Sequence, residues 1–337
     1  MELKLLSVAL VLTVSLASTQ AAVPPQEYWK QVLPSTRMPK AIKDILYQTF
    51  TTDEDGTVDG AGTGVAPDVG NGPGTSVGVG KGGVSVFTGT RKGRPIYVGV
   101  RPGFNPFSYI YAATETQLHD DPNTALFFLE KDLKRGKTME LHFTKSSNEA
   151  AFLPREVANT KQFSSNKLPE IYSMYSVKPD SVEAETMKQT IKECEAPGIK
   201  GEEKYCATSL ESMIDFTKSK LGKDIKAVST EVRKQTPKQK YTITGEIRRV
   251  VVKKSVVCHK ENYPYAVFYC HKTQETRFYV APMEGSDGTG VKAVVACHTD
   301  TSKWNPKHLA FQVLKVQPGT VPICHFLPED HIVWFSN

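Results

Sequence analysis

Four Cys-His dipeptides fall within the last 80 residues of this 337-residue chain: Cys258-His259, Cys270-His271, Cys297-His298 and Cys324-His325. They use four of its six cysteines and four of its eight histidines. A thiol can close a disulfide or, as thiolate, hold a metal; a neutral imidazole is a metal ligand or a general base. The runs that carry the pairs, "SVVCH", "VFYCH", "AVVACH" and "VPICH", are β-like. Successive side chains of a strand point to opposite faces, so each Cys lies on one face and its His on the other. Were the four strands to share one sheet in matching orientation, the cysteines would gather on one side as two disulfides. The imidazoles would converge on the other as a metal site.

Imidazole-rich sites without thiolate suit Cu(II) or zinc, and of these only copper brings redox chemistry. A mixed Cys-and-His zinc site is the competing reading. The spacings, ten residues and then 25 and 25, lack the short Cys-x-x-Cys knuckles of such sites. Cys194 and Cys206, in "CEAPGIKGEEKYC", flank a Pro-Gly turn and predict a local disulfide. The pairing of Cys258, Cys270, Cys297 and Cys324 stays open. His308 and His331 lie among the pairs and read as ordinary polar residues, His308 being the nearer to a further ligand. His119 and His142 carry no constellation. No Gly-x-Ser-x-Gly elbow or His-Glu-x-x-His helix appears in the sequence.

The N-terminus, "MELKLLSVALVLTVSLASTQA", has Lys4, an apolar run to about Leu16 and then small residues. It predicts a secretory signal over 1–21, and so an oxidising destination in which six cysteines default to three disulfides. The apolar run is shorter than the roughly 20 residues that span a bilayer, so no membrane span is expected. No Asn-x-Ser/Thr sequon occurs. Lys plus Arg exceed Asp plus Glu by 42 to 36, a net charge of +6. That balance suits an anionic surface such as acidic polysaccharide and does not call for nucleic acid; the densest basic run, Arg233–Lys240, has no interleaved aromatics and reads as a solvated loop.

Residues 22–55 form a short N-terminal segment in which Ile42, Ile45, Leu46 and Phe50 recur at helical spacing. Residues 56–103 hold 15 of the 24 glycines and read as a flexible linker rich in Gly, Thr and Val. A lead-in follows over 104–125, and the compact domain spans 126–337. "TMKQTIKEC" predicts a short helix. "TSLESMIDFTKSKLG" predicts a clearer one, with a Thr208/Glu211 capping box, an inner face of Leu210, Met213, Ile214, Thr217 and Leu221, and a stop at Gly222. From Tyr241 onward the runs "YTITGEIRRVVVKKSVVCH", "YAVFYCH", "TRFYVAP", "VKAVVACH", "LAFQVL", "TVPICHF" and "HIVWF" predict strands. The fold class is α+β, a mainly antiparallel sheet or barrel-like core with a few helices.

The order Cys-His, ten residues, Cys-His, 25, Cys-His, 25, Cys-His, eight, then Trp334 resembles the signature of the plant BURP domain. "LFFLEKDLKRGKTM", "CEAPGIKGEEKYCATSLESMIDF" and "CHTDTSKWNPKHLAFQVL" extend the resemblance over 126–337. "VPPQEYWKQVLPSTRMPKAI", the Thr-Val glycine-rich tract and "NPFSYIYAATETQLHDDPN" are similar to its desiccation-responsive subfamily. The resemblance implies a secreted plant protein of the cell wall, apoplast or vacuole, linked with dehydration, salt and abscisic acid responses. It also implies copper ligands at His259, His271, His298 and His325. Two functions follow from it. One is a wall protein without turnover that contacts wall polysaccharide or wall proteins. The alternative is a copper-dependent autocatalytic cyclase that cross-links a Tyr of its own chain, with Tyr109 or Tyr111 in "RPGFNPFSYIYAATETQ" as target. That stretch occurs once, and an ordinary lead-in to the domain is the preferred reading of it. The sequence carries no signature of oligomeric state.

Overall fold

A computed structural model of the chain describes residues 23–46, 127–143, 150–198, 203–251, 254–273, 275–302, 304, 306 and 308–336, and the backbone of four short strands between 75 and 95. These four are β1 (Thr75–Gly80), β2 (Gly83–Thr88), β3 (Thr90–Arg91) and β4 (Arg94–Pro95), paired as two antiparallel ribbons, β1 with β2 and β3 with β4. The expected signal segment, the lead-in 104–125, the rest of the glycine-rich tract, and with them Phe50, Tyr109, Tyr111 and His119, lie outside the described residues.

Two antiparallel sheets form the domain. The smaller runs β7 (Lys204–Ala207), β13 (Val267–Thr273), β12 (Lys254–Glu261), β17 (Ile332–Ser336), β8 (Ile225–Val228) in spatial order. The larger runs β5 (Phe128–Leu129), β16 (Ile323–Phe326), β15 (Gly290–His298), β14 (Thr276–Gly285), β10 (Gln239–Ile243), β6 (Thr138–Leu141). Two short strands add to it, β9 (Glu231–Val232) on β15 and β11 (Arg248–Val250) on β14. Among the predicted strands "LAFQVL" is an exception. It is a helix, α7 (Leu309–Leu314), because the His308 side chain caps its first turn, accepting from Ala310 N, and Lys315 ends it in the left-handed region. A six-residue apolar run has no period that separates strand from helix.

Alternation divides each strand between two faces. On the smaller sheet Val256, Cys258, Phe268, Cys270, Ile332 and Trp334 face outward into a cluster with α6 (Leu210–Leu221) and the N-terminal segment. Val257, Val333 and Phe335 face the other way and meet Phe278, Val294 and Ala296 of the larger sheet. The two sheets are therefore packed face to face across that layer. The far side of the larger sheet carries Ala293, Val295, Cys297, Cys324 and Phe326, with Met139, Tyr241 and Met283, in a core of its own.

The predicted inner face of α6 is buried throughout: Leu210, Met213, Ile214, Thr217 and Leu221. Gly222, at φ 93°, ends it where a side chain would be strained. The capping box is shifted one residue from the expected Thr208/Glu211. Ser209 is the N-cap and exchanges hydrogen bonds with Ser212, so Glu211 falls at the second helical position and is buried. The "TMKQTIKEC" helix starts earlier than predicted, at Val182, where Ser181 caps α5 (Val182–Glu195). Helices α3 (Arg155–Thr160) and α4 (Leu168–Met174) pack with it around Tyr263 and Tyr265.

At the N-terminus the structure adds α1 (Pro25–Val32), begun by a proline at its first helical position. It is followed by α2 (Lys40–Lys43), shorter than the spacing of Ile42, Ile45 and Leu46 suggested. Among the described residues no helix is long and apolar enough to cross a membrane.

Candidate functional site

The six cysteines form three disulfides: Cys194–Cys206 as expected, and Cys258–Cys270 and Cys297–Cys324. The last two settle the connectivity that the sequence left open. In each, two Cys-His dipeptides lie on adjacent antiparallel strands with the cysteines directly opposed, Cys258 against Cys270 and Cys297 against Cys324. Both pairs have their Cα atoms 4.0 Å apart. Such close approach belongs to the non-hydrogen-bonded positions of an antiparallel ladder.

Register then fixes the histidines. His259 opposes Tyr269 and His271 opposes Val257, so the two imidazoles stand diagonally on the face opposite the disulfide. His298 opposes Ile323 and His325 opposes Ala296, the same diagonal on the other sheet. Diagonal neighbours lie within reach of ring side chains. His259 and His271 stack, with Nε2 atoms 3.2 Å apart. His298 and His325 stack likewise, at 3.3 Å.

One expectation is corrected. The four strands do not share a sheet; β12 and β13 belong to the smaller one and β15 and β16 to the larger. The disulfides consequently lie on two outward faces, one under α6 and one in the separate core of the larger sheet. The imidazoles still share a side, because both histidine-bearing faces turn toward the layer between the sheets. His259 lies close enough to His298 and His325 of the other sheet for a charge on either to disfavour its own protonation. The disulfides also do not all hold strand ends: Cys258–Cys270 bridges the middle of its ladder.

Burial disfavours the charged form of His259, His298 and His325. His259, His271 and His325 are buried, and His298 keeps some exposure. Burial first, then neighbouring imidazoles, lowers His259 and His298 well below the ordinary histidine range. Burial also pushes His308, His325 and His331 down to about 4. Neutral rings keep a lone pair for a ligand.

Hydrogen bonds select where that lone pair points. The Phe326 carbonyl, 3.2 Å from His325 Nδ1, can only accept, so the proton sits on Nδ1 and His325 Nε2 is bare toward His298. His331 Nδ1 lies 2.9 Å from His259 Nδ1 and occupies that nitrogen, leaving His259 Nε2 toward His271. His331 is thus a partner that sequence reading passed over as an ordinary polar residue. Alternation within "HIVWF" gives it the parity of Val333 and Phe335, which face the layer between the sheets, but it has no neighbouring cysteine and so did not join the repeated pattern. His308 caps α7 through Nδ1 and packs against Trp304 and Phe127, beside the His298–His325 pair. His142 is exposed and apart from the cluster.

Two ligands at about 2.0–2.1 Å from a tetrahedral ion lie about 3.3 Å from one another. Each Nε2 pair matches that separation, with imidazole donors suited to Cu(II) or zinc. Among the described residues no three His, Cys, Asp or Glu side chains form a ready metal-holding group. Each pair supplies two donors. With every cysteine in a disulfide, the thiolate reading of the sequence falls.

Comparison with known proteins gives one family. The model of the BURP domain matches residues 126–336. The chain is 60% identical over 262 residues to BURP domain protein RD22 of Arabidopsis thaliana, covering 76% of this chain and 67% of the relative. It is 58% identical over 249 residues to BURP domain-containing protein 3 of Oryza sativa subsp. japonica, covering 72% and 57%. To BURP domain-containing protein 5 of the same rice it is 43% identical over 321 residues, covering 94% and 88%.

Proposed function

This chain belongs to the BURP-domain family, and from that membership we propose that it is a secreted, stress-responsive plant protein of the cell wall or apoplast whose paired histidines hold a metal ion. The single observation that carries the metal reading is the repeated diagonal: two stacked His pairs, each backed by a disulfide, on facing sheets. His259, His271, His298 and His325 would hold the ion, and His331 and the Phe326 carbonyl would orient them. Copper bound there would add one-electron redox chemistry, and zinc none. The chain's own part is to present unprotonated nitrogens and to exclude water from them. Secretion rests on the signal-like N-terminus and on a fold held by three disulfides, which suits an oxidising compartment. The link to dehydration, salt and abscisic acid rests on similarity to the desiccation-responsive subfamily.

The test is to express the tagged full chain in plant cells, recover it from the apoplastic wash and the wall fraction, and measure its metal content. The reading expects processed protein in those fractions carrying copper or zinc. Retention of the unprocessed chain inside the cell would sink the localisation. A purified protein without metal that also refuses added Cu(II) and Zn(II) would sink the metal site.

A further inference from the structure

The family match begins at residue 126, yet the outer core of the smaller sheet is completed by residues 80 or more positions upstream. Trp29, Leu33, Ala41, Ile42 and Ile45 are each at most 4% exposed. They pack with α6 and with Val256, Phe268, Ile332 and Trp334. The ring of Trp29 lies 5.5 Å from that of Trp334. A ring of polar contacts surrounds this apolar centre. Tyr28 Oη donates to Asp215 of α6 at 2.5 Å. Arg155 donates to the other oxygen of Asp215 at 2.6 Å and lies over the Tyr28 ring. Thr36 Oγ1 donates to the Ile225 carbonyl of β8 at 2.7 Å. Phe152 N donates to the Ile45 carbonyl at 3.0 Å, and Ala41 N to Ser229 Oγ at 3.3 Å.

A buried tryptophan at the centre with hydrogen bonds at the rim is the anatomy of a binding interface rather than of a loose tail. The contacts tie the segment to α6, to β8 and to the chain entering α3, the same body in which the described chain resumes at residue 127.

We infer that residues 25–46 are a docked ligand of the domain, seated in a groove between α6 and the outward face of the smaller sheet, and that the chain can be cut within 47–126 without releasing them. The occupant of the groove is this chain's own N-terminal segment. The functional domain is consequently larger than its matched residues, and a mature two-piece form would keep its core closed and Trp334 covered.

The test inserts a protease recognition sequence between Val100 and Arg101 of the full chain and cuts it in the folded protein. Gel filtration with light scattering should then show one species of the uncut mass containing both pieces in equal amount, separated only by denaturant. The combined Trp29→Ala and Ile42→Ala variant should lose its N-terminal piece on cutting while the three disulfides persist. The milder Tyr28→Phe variant, which keeps the core intact, should speed release of the piece on dilution. Separation of the wild-type pieces on cutting would overturn the inference, as would a combined variant that stays assembled as firmly as wild type. A particle of twice the mass would place the segment on a second copy and overturn docking within one chain.

Discussion

His259 and His271 stand on one face of an antiparallel strand pair with Nε2 atoms 3.2 Å apart, while their neighbours Cys258 and Cys270 are bonded on the other face. His298 and His325 repeat the relation on the facing sheet, behind Cys297–Cys324. The dipeptide is therefore a registration device. The disulfide fixes which residues oppose one another, and strand alternation converts that register into the placement of two imidazoles.

Removing a bridge should loosen its histidine pair as well as the fold. Cys297→Ala with Cys324→Ala opens a closure of 27 residues. Loop entropy puts the loss at about 3–4 kcal/mol. Denaturant unfolding should show that loss, and metal affinity should fall with it. An unchanged midpoint would show that the bridge adds nothing to the register that the sheet does not already hold.

Acid should destabilise the metal-free protein. His308, His325 and His331 titrate at about 4 in the fold, and His259 and His298 are also lowered, all chiefly by burial. In the unfolded chain a histidine titrates at about 6.5. Between these values the unfolded state binds more protons, so stability rises with pH across the window. The contribution is complete above about 6.5 and is lost progressively as pH falls toward 4. Because several groups shift in the same direction, their effects on stability reinforce one another across this window. Melting temperature should therefore drop steeply from pH 7 to 4.5 in a chelator-treated sample. A flat profile would mean that the imidazoles are not buried neutral.

Helix α6 should carry much of the outer core. Leu210 is fully buried, and Leu210→Ala should cost about 2–5 kcal/mol in denaturant unfolding. Val251, 80% exposed, should tolerate Ala within about 0.5 kcal/mol. Equal effects at the two positions would contradict the packing.

His331 should act as a positioning residue. His331→Ala removes the partner of His259 Nδ1 while leaving Nε2 in place. Loss of such an orienting partner typically weakens metal binding 10–100-fold. The decisive readout is a shift of the His259 tautomer in nitrogen-detected NMR. A weakened affinity with an unmoved tautomer would make the role of His331 merely structural.

Much of this was legible in the sequence because the residues concerned obey local rules. The face of α6 follows from helical spacing, Gly222 from its stop, and the opposition of Cys and His from strand period. What escaped was mostly tertiary. Strands β12, β15 and β16 are buried on both faces, so alternation could not reveal that the four pairs divide between two sheets. His331 became a partner of His259 only through folding across 72 positions. The helix of "LAFQVL" hangs on a histidine cap, and α1 on the groove that receives Trp29. Of these only the His308 cap is local, and histidine is not among the residues that usually mark a helix start.

The most direct test of the metal site is calorimetric titration of chelator-treated, disulfide-intact protein with Cu(II) at pH 7, repeated on the His259→Ala/His271→Ala and His298→Ala/His325→Ala variants. Stoichiometric binding by the wild type should be lost in both variants, with their far-UV circular dichroism and three disulfides retained. Binding of equal strength in wild type and both variants, or none in the wild type, would contradict it.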